Sequence, residues 1–319
     1  MRAFIFPGQG SQAVGMGVQL AQASAAARAV FEEVDDALGQ KLALLMAQGP
    51  ADALTLTENA QPAIMANAIA TLRVLTVEGG VKLTEACDYV AGHSLGEYSA
   101  LCAAQAFDLA TTARLLKRRG QAMQAAVPVG EGAMAALLGA DLDRARLIAG
   151  AAVDAILAEG GGELVCTVAN DNDPSQVVIS GHRVAVERAV AMAKELGAKR
   201  GVILPVSAPF HCSLMQDAAD VMDGALAEAT IAAPLVPVFC NIDAVAIADP
   251  GAIRIALVDQ VTGMVRWRES VLAMVEAGVT EFVEFGGKIL SPMVKRIAPD
   301  VEAVSVVGMD DVDALLKKF

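Results

Sequence analysis

Aromatic residues are scarce in this 319-residue chain: Phe, Trp and Tyr make up 4% of it, although 55% of its residues are hydrophobic. Much of the apolar content is therefore Ala, Val and Leu. A mean hydropathy of +0.49 raises the question of a membrane. Yet no stretch approaches the roughly 18 consecutive apolar residues that a spanning helix needs. Every long apolar region is broken by Gln, Asp, Glu, Lys or Arg. The opening run, residues 1–7, is too short for the apolar region of a signal peptide, so a cytoplasmic protein is expected. Cysteine is sparse as well: Cys87, Cys102, Cys166, Cys212 and Cys240 form an odd, scattered set without a C-x-x-C pair. That pattern argues against a disulfide framework and against a zinc site, and fits a reducing compartment. Basic residues are outnumbered, 24 against 37 acids, and the resulting net charge of −13 disfavours non-specific nucleic-acid binding.

The chain is long enough for one large α/β domain carrying an insertion, or for two domains. A first strand at 2–6 runs into the glycine-rich turn Pro7-Gly8-Gln9-Gly10-Ser11. Helices are predicted over 18–38, from Gln61-Pro62 onward with Pro in the first turn, and over 109–126 with Asp108 as the N-cap. Between the last two, a short strand at 89–91 enters a second glycine-rich turn. Val127-Pro128-Val129-Gly130 breaks the pattern, and the next 80 residues or so change character. They read as strand 132–140, helix 141–159, strands 164–168 and 176–180, helix 184–196 and strand 200–205, with Asn170-Asp171-Asn172-Asp173-Pro174 as the turn between the middle strands. The order β-α-β-β-α-β is that of a ferredoxin-like unit. The predicted fold is thus α/β, with a large domain over 1–128 and 206–319 and a small inserted domain over 129–205. The second large segment returns to alternation: helix 213–229, strand 236–241, helices 252–262 and 268–277, and strand 281–285.

Gly92-His93-Ser94-Leu95-Gly96 follows a short strand and opens a helix, the context of a nucleophile elbow. The glycines allow a sharp turn that leaves Ser94 exposed at its tip. The N–H of Leu95 then points where a tetrahedral oxyanion would form, at the positive end of a helix. Read blandly, the same residues are a glycine-rich turn with a serine helix cap. A serine nucleophile needs a base, and the chain has three histidines. His93 adjoins Ser94, and neighbouring side chains diverge in a tight turn. His182 follows Gly181 at a strand-helix corner, where a surface position is expected. His211 lies in Ser207-Ala208-Pro209-Phe210-His211-Cys212, a loop that re-enters the large domain, and by elimination it is the best general base. Cys212 as nucleophile is a weak alternative, since adjacent residues in extended chain point opposite ways.

The 109–126 helix carries Arg114, Lys117, Arg118 and Gln121 on one polar stripe, and Thr112, Leu115, Leu116, Gly120 and Met123 on the opposite one. Arg119 falls three and four residues from Leu116 and Leu115, on the apolar face. An inward guanidinium needs a partner. Two remain open: an internal acid such as Glu97, or a carboxylate brought by the substrate and held bidentately.

Several segments in this order resemble the malonyl-CoA:acyl-carrier-protein transacylases and the related acyltransferase domains of polyketide synthases. They are Phe6 to Gln12, Gln61-Pro62-Ala63, Gly92 to Glu97, Arg119-Gly120, Gln176 to Gly181, Ser207 to His211, Asn241, Leu257 to Gln260 and Val265-Arg266-Trp267. The resemblance departs at Gly286-Gly287-Lys288, one residue shorter than usual, and at Met264, where a proline is common. It implies an α/β-hydrolase-like large domain with the ferredoxin-like insertion. It also implies a malonyl-Ser94 intermediate, formed from malonyl-CoA and discharged onto the phosphopantetheine thiol of acyl carrier protein. No resident cofactor or metal is implied, because phosphopantetheine arrives with the substrates. By the same resemblance Arg119 binds the malonyl carboxylate, the N–H groups of Gln9 and Leu95 form the oxyanion hole, and a backbone carbonyl near Gln260 orients His211. Gln61 joins the substrate-binding set, and Phe210 matches the malonyl-selecting form of its loop. A monomer is expected, working in fatty-acid synthesis with neither nucleic acid nor membrane as partner. An acidic carrier protein would need a local basic patch on this acidic chain, for which Lys194, Lys199, Arg200, Lys288, Lys295 and Arg296 are candidates.

Overall fold

A computed structural model describes all residues, 1–319. Ten strands form two separate sheets: β1 Arg2–Phe6, β2 Tyr89–Gly92, β3 Gly132–Leu138, β4 Cys166–Asp173, β5 Gln176–His182, β6 Arg200–Ile203, β7 Val238–Phe239, β8 Ala246–Ile247, β9 Glu281–Phe285 and β10 Glu302–Val306. The larger sheet has the order β10-β9-β1-β2-β7-β8, parallel except for the short edge strand β8. Its central strand β1 shows how a parallel sheet is covered on both faces. Phe4 and Phe6 join the main core, whereas Ala3 and Ile5, one residue out of phase, join the core under Trp267 on the other side. The second sheet is wholly antiparallel, in the order β4-β5-β3-β6. With helices Leu142–Ala158 and Arg183–Met192 it makes the expected ferredoxin-like unit. Alternation along β3 separates its two sides as well. Ala133, Ala135 and Leu137 pack in that unit's own core, while Met134 and Ala136 belong to the main core.

Several expected elements differ from the structure for local reasons. The helix over 18–38 is two helices, Val18–Ala23 and Ala25–Leu38, because Ser24 is extended and its hydroxyl caps Ala27 N. The helix expected to open at Gln61-Pro62 begins at Thr57, so Pro62 lies inside it. The largest difference is at Asn170 to Asp173, expected as a turn and found inside β4, with register shifts against β5. Those polar residues are buried because they meet the rest of the protein rather than water. Asp171 pairs with Arg268 at 2.8 Å, Asp173 with Arg296 at 2.8 Å, and Val265 makes a parallel bridge to Asn170. The turn proper is Pro174-Ser175, where Ser175 N donates to Asp173 Oδ1. Strand β10 and helices Leu290–Ile297 and Met309–Leu316, beyond the last predicted strand, complete the large layer. Buried Glu284 fixes their entry by accepting from the main-chain N–H groups of Ile289, Leu290 and Ser291. No helix is long and apolar enough to cross a membrane.

Candidate active site

Strand β2 ends at Gly92, and helix Leu95–Ala103 starts three residues later. So abrupt a turn puts Ser94 at φ 54°, ψ −114°, a conformation that L-residues adopt only when the surroundings enforce it. Two glycines enforce it. A Cβ on Gly92 would collide with the main chain of Gly96, and one on Gly96 with the carbonyls of Phe6 and Pro7. Asn241, just past β7, holds the turn from the side: its Oδ1 accepts from Ser94 N at 2.7 Å, and its Nδ2 donates to Gly92 O at 2.7 Å. Sequence reasoning placed Asn241 only among the segments of the resemblance and gave it no task. A single polar residue at a strand end was the available signal.

Ser94 Oγ lies 2.8 Å from His211 Nε2, and His211 Nδ1 lies 2.9 Å from the main-chain carbonyl of Gln260. A carbonyl can only accept, so Nδ1 carries the proton and Nε2 turns a lone pair toward the serine hydroxyl. Burial, and then the nearby Arg119 charge, push the His211 pKa down to about 3, which keeps the ring neutral and able to take a proton. The other histidines are spoken for. His93 Nε2 meets Asn172 Oδ1 at 2.8 Å on the ferredoxin-like unit, and His182, half-buried rather than at the surface, accepts from Val165 N at 2.8 Å. The Cys212 thiol donates to Pro209 O and is pushed above its usual pKa by burial, leaving it a poor nucleophile.

Arg119 is 1% exposed. It donates from Nη1 to Gln61 Oε1 at 2.9 Å, and from Nη2 to Gln260 Oε1 at 2.9 Å and Ser94 Oγ at 3.2 Å. Its guanidinium carbon sits 5.7 Å from the centre of the Tyr98 ring. Neither Glu97 nor any other carboxylate forms an ion pair with it, and its Nε has no partner. The two amide oxygens and the aromatic face orient the cation without neutralising it. Of the two partners the sequence left open, the internal acid is therefore not the one in place.

These groups line a cavity of about 550 Å³ that contains Gln9, Ser94, Leu95, Arg119, Phe210 and His211. The N–H groups of Gln9 and Leu95 donate to no protein acceptor, and both residues line the cavity together with Ser94. Gln61 lines the same cavity, whereas Gln260 lies behind it as the support of both His211 and Arg119. The arrangement can activate a hydroxyl, hold a developing oxyanion and pair with an anionic group close to the reacting carbon. Of the basic residues proposed as a docking patch, Arg296 is committed to Asp173, and Lys295 donates to Pro299 O and Val301 O. Lys288 is exposed, next to Ile289, whose side chain neighbours Gly10 at the cavity. Lys194, Lys199 and Arg200 are exposed on the ferredoxin-like unit.

The chain is similar to known proteins over nearly its whole length. The acyl transferase domain family matches residues 3–288. The malonyl CoA-acyl carrier protein transacylase of Escherichia coli K12 is 47% identical over 302 residues, covering 94% of each chain. That of Bacillus subtilis is 40% identical over 316 residues, 99% of this chain and 96% of the other. Among solved structures, the acyl-carrier-protein S-malonyltransferase of Bartonella henselae superposes with a TM-score of 0.94 at 50% identity, over 99% of this chain and 98% of that one. A malonyl-transacylase solved in complex with its type II polyketide acyl-carrier protein gives 0.93 at 39% identity, over 100% and 99%. The chain belongs to the malonyl CoA-acyl carrier protein transacylase family.

Proposed function

We propose that this protein moves a malonyl group from malonyl-CoA to the phosphopantetheine thiol of an acyl carrier protein through an ester on Ser94. One observation carries the reading: a serine–histidine pair and an arginine without a carboxylate partner share one cavity. As Ser94 Oγ bonds to the thioester carbon, His211 Nε2 takes its proton and the carbonyl electrons move onto oxygen, between the N–H groups of Gln9 and Leu95. Collapse expels the CoA sulfur, which receives that proton. In the second half-reaction the carrier thiol gives its proton to His211 and attacks the ester, and Ser94 recovers its hydrogen as it leaves. Arg119 holds the malonyl carboxylate throughout, and Gln61 and Gln260 hold Arg119. Phe210 fills the space a branched acyl group would need.

His211 leans on a carbonyl rather than on a carboxylate, which supports transfer over hydrolysis. A weaker base activates water less, and the acyl-enzyme waits for a thiol. The reading requires no resident cofactor, since both thiols arrive on the substrates. It treats 129–205 as an inserted unit and the protein as cytoplasmic, supplying malonyl units for fatty-acid synthesis. Mass spectrometry after mixing with malonyl-CoA tests it. A malonyl adduct on Ser94 that a phosphopantetheinylated carrier protein discharges is expected, and a protein left without adduct refutes it.

A further inference from the structure

Glu97 is a carboxylate 1% exposed, three residues after the nucleophile, and the mechanism above leaves it without a task. Its Oε2 accepts from Gln260 Nε2 at 2.8 Å and from Asn241 N at 3.0 Å. Gln260 sits at the junction of the whole site. Its main-chain carbonyl takes His211 Nδ1, its Oε1 takes Arg119 Nη2, and its Nε2 also reaches Ser94 O at 3.1 Å. A primary amide has two ends of opposite polarity, and turning it over exchanges them. In the observed orientation the oxygen faces a cation and the nitrogen faces an acceptor. In the reverse one the amide N–H groups would face the Arg119 guanidinium and the oxygen would face Glu97 Oε2. Both contacts would then be repulsive, with the amide itself wholly buried. With no carboxylate on Arg119, this amide aims the Nη2 end of the guanidinium, the end that reaches Ser94 Oγ, while Gln61 holds Nη1.

We infer that Glu97 is a positioning residue for malonyl selectivity: as an acceptor it locks the Gln260 amide, and the locked amide aims Arg119 beside Ser94. What the lock needs is an acceptor at that place, and charge is secondary. Both hydrogen bonds fall on Oε2, so a proton on the other oxygen leaves them intact. Burial pushes the Glu97 carboxyl up to about 7, which makes such a protonated form accessible near neutral pH.

The inference rests on Arg119 as the receptor of the malonyl carboxylate, and the experiment separates the two. The readout is the ratio of kcat/KM for Ser94 acylation by malonyl-CoA and by acetyl-CoA, with KM and kcat resolved. Glu97→Gln keeps an acceptor at full reach without the charge, and the ratio is expected to stay within about twofold of the native enzyme. Glu97→Asp keeps the charge but withdraws the acceptor by about 1.5 Å, one C–C bond. There the ratio is expected to fall at least about tenfold, mainly through KM for malonyl-CoA. Gln260→Met removes the amide while leaving the main-chain carbonyl on His211, and it must show the same loss whether or not Glu97→Asp folds. A ratio retained in Glu97→Asp or in Gln260→Met, or lost in Glu97→Gln, overturns the inference. Arg119→Ala is the control. If its ratio is unchanged, the reading of Arg119 itself has failed; if it collapses while Glu97→Asp holds, only the lock has.

Discussion

Replacing Arg119 with alanine probes the link between a buried charge and substrate choice. In the resting site the guanidinium is 1% exposed, and only neutral amide oxygens, a hydroxyl and an aromatic face satisfy it. A malonyl carboxylate entering that cavity exchanges its water for a charge-assisted pair with the guanidinium. Removing one partner of such a pair costs about 3–5 kcal/mol, and about 1.4 kcal/mol is a factor of ten. The malonyl-to-acetyl ratio of acylation rates is therefore expected to fall by about two to three and a half orders of magnitude. Acetyl-CoA offers no carboxylate, so its own rate should change little or rise slightly as a stranded cation disappears. Arg119→Ala also strips a donor from Gln61, Gln260 and Ser94, but that loss acts on both substrates and cancels in the ratio. Quenched-flow mixing followed by intact-protein mass spectrometry gives both rates. A ratio within about threefold of native would refute the argument, because it would mean the charge contributes almost nothing to malonyl recognition.

Three further residues carry expected outcomes. Burial, and then the Arg119 charge, push His211 from its ordinary 6.5 down to about 3, so the acid limb of acylation should lie well below 6.5 in the native enzyme and move upward in Arg119→Ala, which removes the second cause of the depression. The sign for stability is the same: between 6.5 and about 3 an unfolded His211 takes up a proton that the folded ring refuses. Stability should thus fall as pH falls through that window, by about 1.4 kcal/mol per pH unit from this group, read as the difference in urea unfolding between the native protein and His211→Gln at several pH values. Gly92→Ala should abolish the malonyl adduct and lower stability by about 3 kcal/mol or more, since its Cβ would meet main chain rather than a yielding side chain; an active, stable variant in the same two assays would show that the elbow tolerates relaxation. Arg268→Leu strands Asp171, whose side chain is 0% exposed. It should cost about 2–4 kcal/mol in urea denaturation, below the value for a fully buried pair because Arg268 keeps part of its surface in water.

Local chemistry made much of this protein legible in its sequence. Glycines around Ser94 can be read as a forced turn because their requirement is steric and lies within five residues. The inward direction of Arg119 follows from helical period alone, and its burial agrees. Asp108 can be read as a helix cap because the bond it makes spans only three residues. What the sequence could not state is which distant groups meet. Asn170 to Asp173 has the composition of a turn, and becomes a buried strand only because Arg268 and Arg296, from elsewhere in the chain, neutralise its carboxylates. The identity of Arg119's neighbours needed four segments to converge, from helix Thr57–Arg73, the elbow, helix Leu109–Ala125 and helix Pro250–Thr262. Period and propensity fix which face a residue presents. Only the packed fold decides whether that face meets an acid, an amide or an open cavity, because those partners lie up to 141 residues away along the chain.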